Sequence, residues 1–400
     1  MKKHILPVMI LPLLGASCST AKQDNKILPQ ADIRSLISSP SMTSLADEIE
    51  SVSYVPLQMT TDDGSIIDGV MHYTVTDQAI YIYPTRERKI VEFDRKGNFV
   101  RELISGGQGP NELNCEITSM QADAQTNKLY LHSMDRTMVY DLDGKLIEEF
   151  TPAYQNIYKR QIAPDRIAAI AFPYVPFEKG SYGIGIFSNS GDTIALKNDF
   201  ASPAVPHENR GLTVGMAADY SNNLNGLLFK QGSNDTVFIL AEQAIAPVCI
   251  LTLQNSDDEI KRSLDATDMS SIRNLGNDKD IVVSDLFETP ASYYFRMRYN
   301  GGHYVAAIDK KTGKSSIEKC VQPGSLQELA GVNMQYGMLG SRSYKNFPIW
   351  GRTEGKELVQ IVMPYEVEMY NATGEIAVPK TLASIESNEN PIFIFYKLKE

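Results

Sequence analysis

"FDRKGNFVREL" (93–103) is followed by "YDLDGKLIEEF" (140–150) and, in weaker form, by "FSNSGDTIAL" (187–196). Each reads as a strand, a tight turn and a second strand, and the turn glycines Gly97, Gly144 and Gly191 are spaced 47 residues apart. A unit that small is a sheet with two faces to cover and cannot cover them alone. Self-similarity at roughly 40–50 residues therefore points to stacked blades.

From "SVSYVPLQMT" (51–60) onward the chain is short runs rich in Val, Ile, Tyr and Phe, separated by Gly, Asn, Asp and Pro turns. The runs group in fours. The first group is "GVMHYTVT", "AIYIYP", "KIVEFD" and "NFVREL"; the sixth ends with the C-terminal "PIFIFYKL" and is one strand short. "SVSYVPLQ" near the N-terminus is the spare strand. The grouping predicts an all-β fold: a six-bladed β-propeller of four-stranded antiparallel blades over residues 46–400, its ring closed by residues 51–58 pairing beside 391–398. Short helical insertions are expected at 256–276, 323–332 and 378–391.

The opening "MKKHILPVMILPLLGASCST" reads as a targeting segment, with Lys2 and Lys3 ahead of an apolar stretch too short to span a bilayer. Gly15, Ala16 and Ser17 lead to Cys18, an order that resembles the lipobox of bacterial lipoproteins, in which the cysteine is acylated and becomes the new N-terminus. On that reading residues 1–17 are a signal peptide, 18–45 a lipid-anchored tether with a short helix near 31–38, and the protein is held to a membrane through Cys18. The expected place is the cell envelope, with the outer membrane favoured and the facing side left open.

Without the leader the chain has 36 basic against 49 acidic residues, which argues against nucleic acid and against adhesion to anionic lipid by charge. Cys115, Cys249 and Cys320 match no metal spacing and imply no disulfide framework, so they read as structural thiols. A monomer is expected.

At "FDRKGNFVRELISGGQGPNEL" (93–113) the chain resembles a family of six-bladed β-propeller lipoproteins of Bacteroidetes, whose corresponding segment runs Gly-Gln-Gly-Pro-Gly-Glu. "YVPLQMTTDDGSII" (54–67) resembles that family's opening strand, and "NENPIFIFYKLKE" (388–400) its closing one. Asn111 stands where the family has glycine, a substitution that a left-handed turn tolerates. The resemblance implies the propeller; it brings no catalytic motif.

"GGQGPNEL" (106–113) has no "GK[ST]" and no helix expected after it, so it reads as a blade-to-blade connector rather than a phosphate loop. "DLDG" (141–144) and "NDKD" (277–280) lack a full calcium ligand set and read as turns. His72 and His132 read as strand residues satisfied by neighbouring backbone. No "HExxH" or "GxSxG" occurs, and no metal, cofactor or catalytic residue is assigned.

Propeller geometry puts the loops joining second to third strands, and those joining one blade to the next, at a single end. There the chain carries its longest insertions, and loops on a rigid scaffold hold most functional residues. The candidate ligand-binding residues at that end are Arg86, Arg88, Arg136, Tyr174, Phe177, Lys179 and Arg210, with Tyr83 and Tyr182 as further aromatics. Aromatic faces among cations suit sugars or anionic glycans. The expected function is a non-catalytic binding or scaffold propeller for a glycan, peptide or envelope protein. The alternative is a propeller enzyme, a glycan hydrolase or lyase, with its acids and bases meeting at the channel mouth.

Overall fold

A computed structural model of the chain describes residues 27–41, 45–60, 64–151, 158–170, 182–198, 217–218, 226–230, 234–254, 280–319, 351–354, 356–373, 380–387 and 389–399. The chain starts with a short strand, β1 (Gln30–Asp32), a helix, α1 (Ile33–Ser38), and a 3-10 turn at Leu45–Glu48, then enters β2 (Ile49–Pro56). Blade 1 is β3 (Val70–Val75), β4 (Ala79–Pro84), β5 (Ile90–Asp94) and β6 (Phe99–Ile104); blade 2 is β7 (Ser119–Asp123), β8 (Lys128–His132), β9 (Thr137–Asp141) and β10 (Leu146–Phe150). Blade 3 is β11 (Tyr158–Ala163), β12 (Arg166–Ile170), β13 (Tyr182–Ser188) and β14 (Thr193–Asn198). Blade 4 is β15 (Ala217–Ala218), β16 (Leu227–Lys230), β17 (Thr236–Ala241) and β18 (Ala244–Thr252). Blade 5 is β19 (Val282–Glu288), β20 (Ser292–Tyr299), β21 (Gly302–Asp309) and β22 (Ser315–Lys319). Blade 6 takes β23 (Gly351–Glu354), β24 (Glu357–Val362) and β25 (Ile392–Leu398), with β2 as its outer strand.

The ring closes as expected: β2 runs antiparallel to β25, with Tyr54 opposite Ile394. The repeated turn also has a physical cause. Asp94 Oδ1 accepts the Lys96 and Asn98 amides at 2.8 and 2.9 Å, and Asp141 Oδ1 accepts those of Asp143 and Lys145 at 3.1 and 2.8 Å. An aspartate that bonds its own downstream backbone sets the turn, and the glycine supplies the positive φ, +86° at Gly97 and +87° at Gly144. "DLDG" is thus a turn, as read from the sequence.

Among the described residues, five apolar clusters fill five of the six junctions between neighbouring blades: blades 1 and 2, 3 and 4, 4 and 5, 5 and 6, and 6 and 1. Phe393 and Phe395 of the closing strand sit in one of them with Tyr73, Ile80 and Phe93 of blade 1. Closure is therefore made by packing as well as by strand pairing.

The N-terminal segment does more than lead into the ring. β1 adds in parallel to the outer edge of blade 4, and α1 buries Ile33 in the core between blades 4 and 5. Asp32 caps the helix by accepting the Ser35 amide at 3.1 Å. Arg34 donates to the carbonyls of Leu253 and Gln254 and to Tyr299 Oη at 3.0, 3.2 and 3.1 Å. Ser41 bridges Ile317 on blade 5, and the Glu48 carboxylate accepts hydroxyls from Thr289, Ser292 and Tyr294. This strap ties blades 4, 5 and 6 together from outside.

The helix expected at 378–391 lies elsewhere. A 3-10 turn occupies Lys380–Leu382, and the helix, α2, spans Pro364–Thr373. Pro364 opens it, and the Glu366 side chain accepts the Met363 amide at 2.8 Å, a start signal present in the sequence as "MPYE". The insertions expected at 256–276 and 323–332 fall outside the described residues, as do the leader and Cys18. No helix among the described residues is long and apolar enough to cross a membrane.

Candidate functional site

In blades 1 and 2 the loop between second and third strands lies against the start of the inner strand. The Thr85 amide donates to Gly69 O at 3.1 Å and the Thr118 amide to His132 O at 2.7 Å. These loops and the blade connectors thus share one end of the first two blades. "GGQGPNEL" is a connector, as expected. Gly106 bridges Leu113, the Glu112 carboxylate folds back onto the Gly109 amide at 2.6 Å, and Asn111 Oδ1 accepts the Leu146 amide of blade 2 at 3.0 Å. The Glu112 carboxylate fills the space a Cβ at Gly107 would need, so the glycine permits the fold-back.

Three of the candidate cations are described, and each faces a carboxylate. Arg86 meets Asp68 at 3.1 Å, Arg88 meets Glu116 at 3.3 Å, and Arg136 meets Glu149 at 3.1 Å. Their side-chain exposures, 85%, 50% and 28%, rank how open each pair is to a ligand. Residues 114–116 join the two loops. Arg88 also contacts the Asn114 carbonyl, Glu116 accepts the Tyr83 hydroxyl, and Cys115 lies within the field of Arg136. Burial pushes the Cys115 thiol up, against the opposing pull of Ser133 and Arg136, so it rests protonated.

Tyr83 corrects the expectation of an exposed aromatic at this end. Its ring is buried at 2% exposure, and burial together with the Glu116 hydrogen bond raises its hydroxyl far above the usual range. It positions Glu116 rather than stacking on a ligand. Tyr174, Phe177, Lys179 and Arg210 lie outside the described residues.

Between blades 2 and 3 the sequence-based reading missed a buried polar group. Lys159, on the inner strand of blade 3 and only 1% exposed, donates to the carbonyls of Ser133 and Met134 at 2.8 and 3.0 Å. Burial lowers its pKa to about 8, partly offset by Asp135. His132 is fully buried; its Nδ1 pairs with the Thr137 hydroxyl at 2.9 Å rather than with backbone as expected, and its Nε2 has no partner. Burial, with Lys159 and Arg160 nearby, lowers its pKa to about 3, so it is neutral at physiological pH. The one signal in the sequence was "YKRQIA", two adjacent cations inside a strand.

Cys249 is a buried thiol on β18, as expected. Among the described residues no group of three or more His, Cys, Asp or Glu is placed to hold a metal ion.

The fold resembles that of a solved Bacteroides protein. A Bacteroides fragilis protein designated as exported is 14% identical, with a TM-score of 0.64 over 90% of this chain and 98% of its own. A Bacteroides vulgatus member of the DUF4221 family is 10% identical, with a TM-score of 0.47 over 88% of this chain and 97% of its own. At 14% identity the likeness to the Bacteroides fragilis protein is one of fold. A comparison with curated proteins finds no match. The sequence profile of a domain of unknown function, DUF4934, matches residues 28–397, and the chain belongs to that family.

Proposed function

We propose that this protein is an envelope lipoprotein, acylated at Cys18, whose propeller binds glycan without catalysis through the loop end of blades 1 and 2. The observation that carries the reading is the row of guanidinium–carboxylate pairs, Arg86–Asp68, Arg88–Glu116 and Arg136–Glu149. Such a pair sets fixed donors beside fixed acceptors, the pattern that vicinal sugar hydroxyls complement. Because each cation is already neutralised, a neutral glycan fits this row better than an anionic one.

The two more exposed pairs can be rearranged at low cost, since surface ion pairs contribute only about 0–1 kcal/mol. Arg136, held between Asp135 and Glu149, is the least exposed of the three and lines the same end. Export agrees with the leader and with the designation of the Bacteroides fragilis relative.

A glycan array probed with the purified protein tests the reading, with hits repeated on Arg86→Ala and Arg88→Ala. Binding of neutral oligosaccharides that weakens in both variants supports it. Absence of any hit, or turnover of a bound glycan, would overturn it, the latter in favour of a hydrolase or lyase.

A further inference from the structure

Five of the ring's six junctions are closed by apolar clusters; among the described residues the junction between blades 2 and 3 is built differently. Strand register shows which side chains face it. Ser119 pairs opposite His132, and His132 opposite Thr137, so all three share the face of blade 2 that meets blade 3. The Ser119 hydroxyl donates across the junction to Lys159 O at 2.5 Å. On blade 3, Lys159 lies opposite Ala169 and Gln161 opposite Ile167. The seam therefore interleaves Ser119, His132, Thr137, Lys159 and Gln161 with Tyr130, Val139, Ile167, Ala169 and Phe187.

All of these are buried, yet not all are satisfied. The His132 Nε2 and the Gln161 Oε1 have no hydrogen-bond partner. Lys159 has three N–H donors and two carbonyl acceptors. Buried polar atoms left unpaired oppose closure and offset what the seam's apolar side chains contribute, whereas the neighbouring junctions are built round apolar clusters. The Lys159 ammonium also ties the seam to the loop Ser133–Arg136, which carries Arg136 of the proposed binding face.

We propose that the blade 2–3 junction is the parting line of the ring, a joint that opens before the others and moves the Ser133–Arg136 loop with it. Its meaning for ligand binding rests on the glycan reading above; the opening itself does not.

The test compares buried thiols at two junctions of the full-length protein. Ala169→Cys places a thiol on the seam, where the alanine is 1% exposed. The native Cys249 and a separate Ala306→Cys place thiols in the apolar blade 4–5 junction, both sites 0% exposed. Iodoacetamide labelling under native conditions, resolved by peptide mass spectrometry, should modify the seam thiol at least tenfold faster than either control. Equal or slower labelling overturns the parting line.

A second readout uses Lys159→Met. Hydrogen exchange of amides 133–136 should speed up at least fivefold while that of 85–89 stays unchanged. Unchanged exchange at 133–136 overturns the link between joint and loop. A negative glycan array leaves both results standing, so the two readings fail separately.

Discussion

Replacing Gly144 by alanine should cost far more than replacing Gly301, although both glycines sit at positive φ, +87° and +68°. Alanine at either position bears the left-handed backbone penalty, about 1–2 kcal/mol. Around Gly301 nothing lies within 4 Å, so that penalty is the whole cost. At Gly144 a Cβ would stand well under 3.0 Å from the Leu103 carbonyl oxygen, which belongs to the outer strand of the preceding blade. Backbone cannot swing away as a side-chain tip can, so blades 1 and 2 must separate locally. Overpacking of that kind adds about 1–3 kcal/mol. The expected totals are about 2–5 kcal/mol for Gly144→Ala and about 1–2 kcal/mol for Gly301→Ala. Urea unfolding followed by tryptophan and tyrosine fluorescence and by circular dichroism measures both. Equal losses would refute the claim that the repeated glycine is where one blade seats against the last.

Three further outcomes are expected. Burial raises the Glu366 carboxyl from 4.5 to about 7, so the folded state holds a proton that the unfolded state releases. Its contribution to stability is full below pH 4.5 and is lost as pH rises through 7, by up to about 3 kcal/mol, and Glu366→Gln should remove that slope from a series of denaturation curves. Glu48→Ala leaves the hydroxyls of Thr289, Ser292 and Tyr294 without their shared acceptor and should cost about 2–4 kcal/mol; faster hydrogen exchange in the strap, residues 30–48, would locate the loss there. Cys18→Ser should shift the protein from the membrane to the soluble fraction on cell fractionation, and full retention on membranes would dismiss the lipid.

The ring was legible because its signals are local and repeated. The Asp-x-x-Gly turns bond their own backbone, and strands such as Ala79–Pro84 are apolar over their whole length. Closure was legible because one spare strand lay at one end and one vacancy at the other. The strap was legible only as a short helix, since β1 is three residues long and its partners begin at Ile250. A strand that brief has no alternation to read, and its stability comes wholly from residues distant in sequence.

At the candidate site, the position of Arg86, Arg88 and Arg136 on the loop end followed from blade arithmetic. Their carboxylate partners did not: Glu116 and Glu149 belong to a connector and an outer strand, joined to the arginines only by the fold. Tyr83 read as an exposed aromatic because it ends a strand beside a cationic loop, yet Glu116 and blade packing draw it inward. The seam at Lys159 was hidden for the opposite reason. A lysine in a strand ordinarily reaches solvent, and only the neighbouring blade's loop, folding over it, makes it a buried cation.

The central claim is that paired guanidinium and carboxylate groups bind a neutral glycan, and calorimetric titration of the best array hit at low and high salt tests it most directly. A neutral ligand held by hydrogen bonds should keep its Kd within about twofold between 0.05 and 0.5 M salt, because screening acts on net charge. Arg88→Ala should weaken binding by about tenfold, the loss of one charged hydrogen bond. A Kd that rises steeply with salt, or one that Arg88→Ala leaves unchanged, would contradict the account.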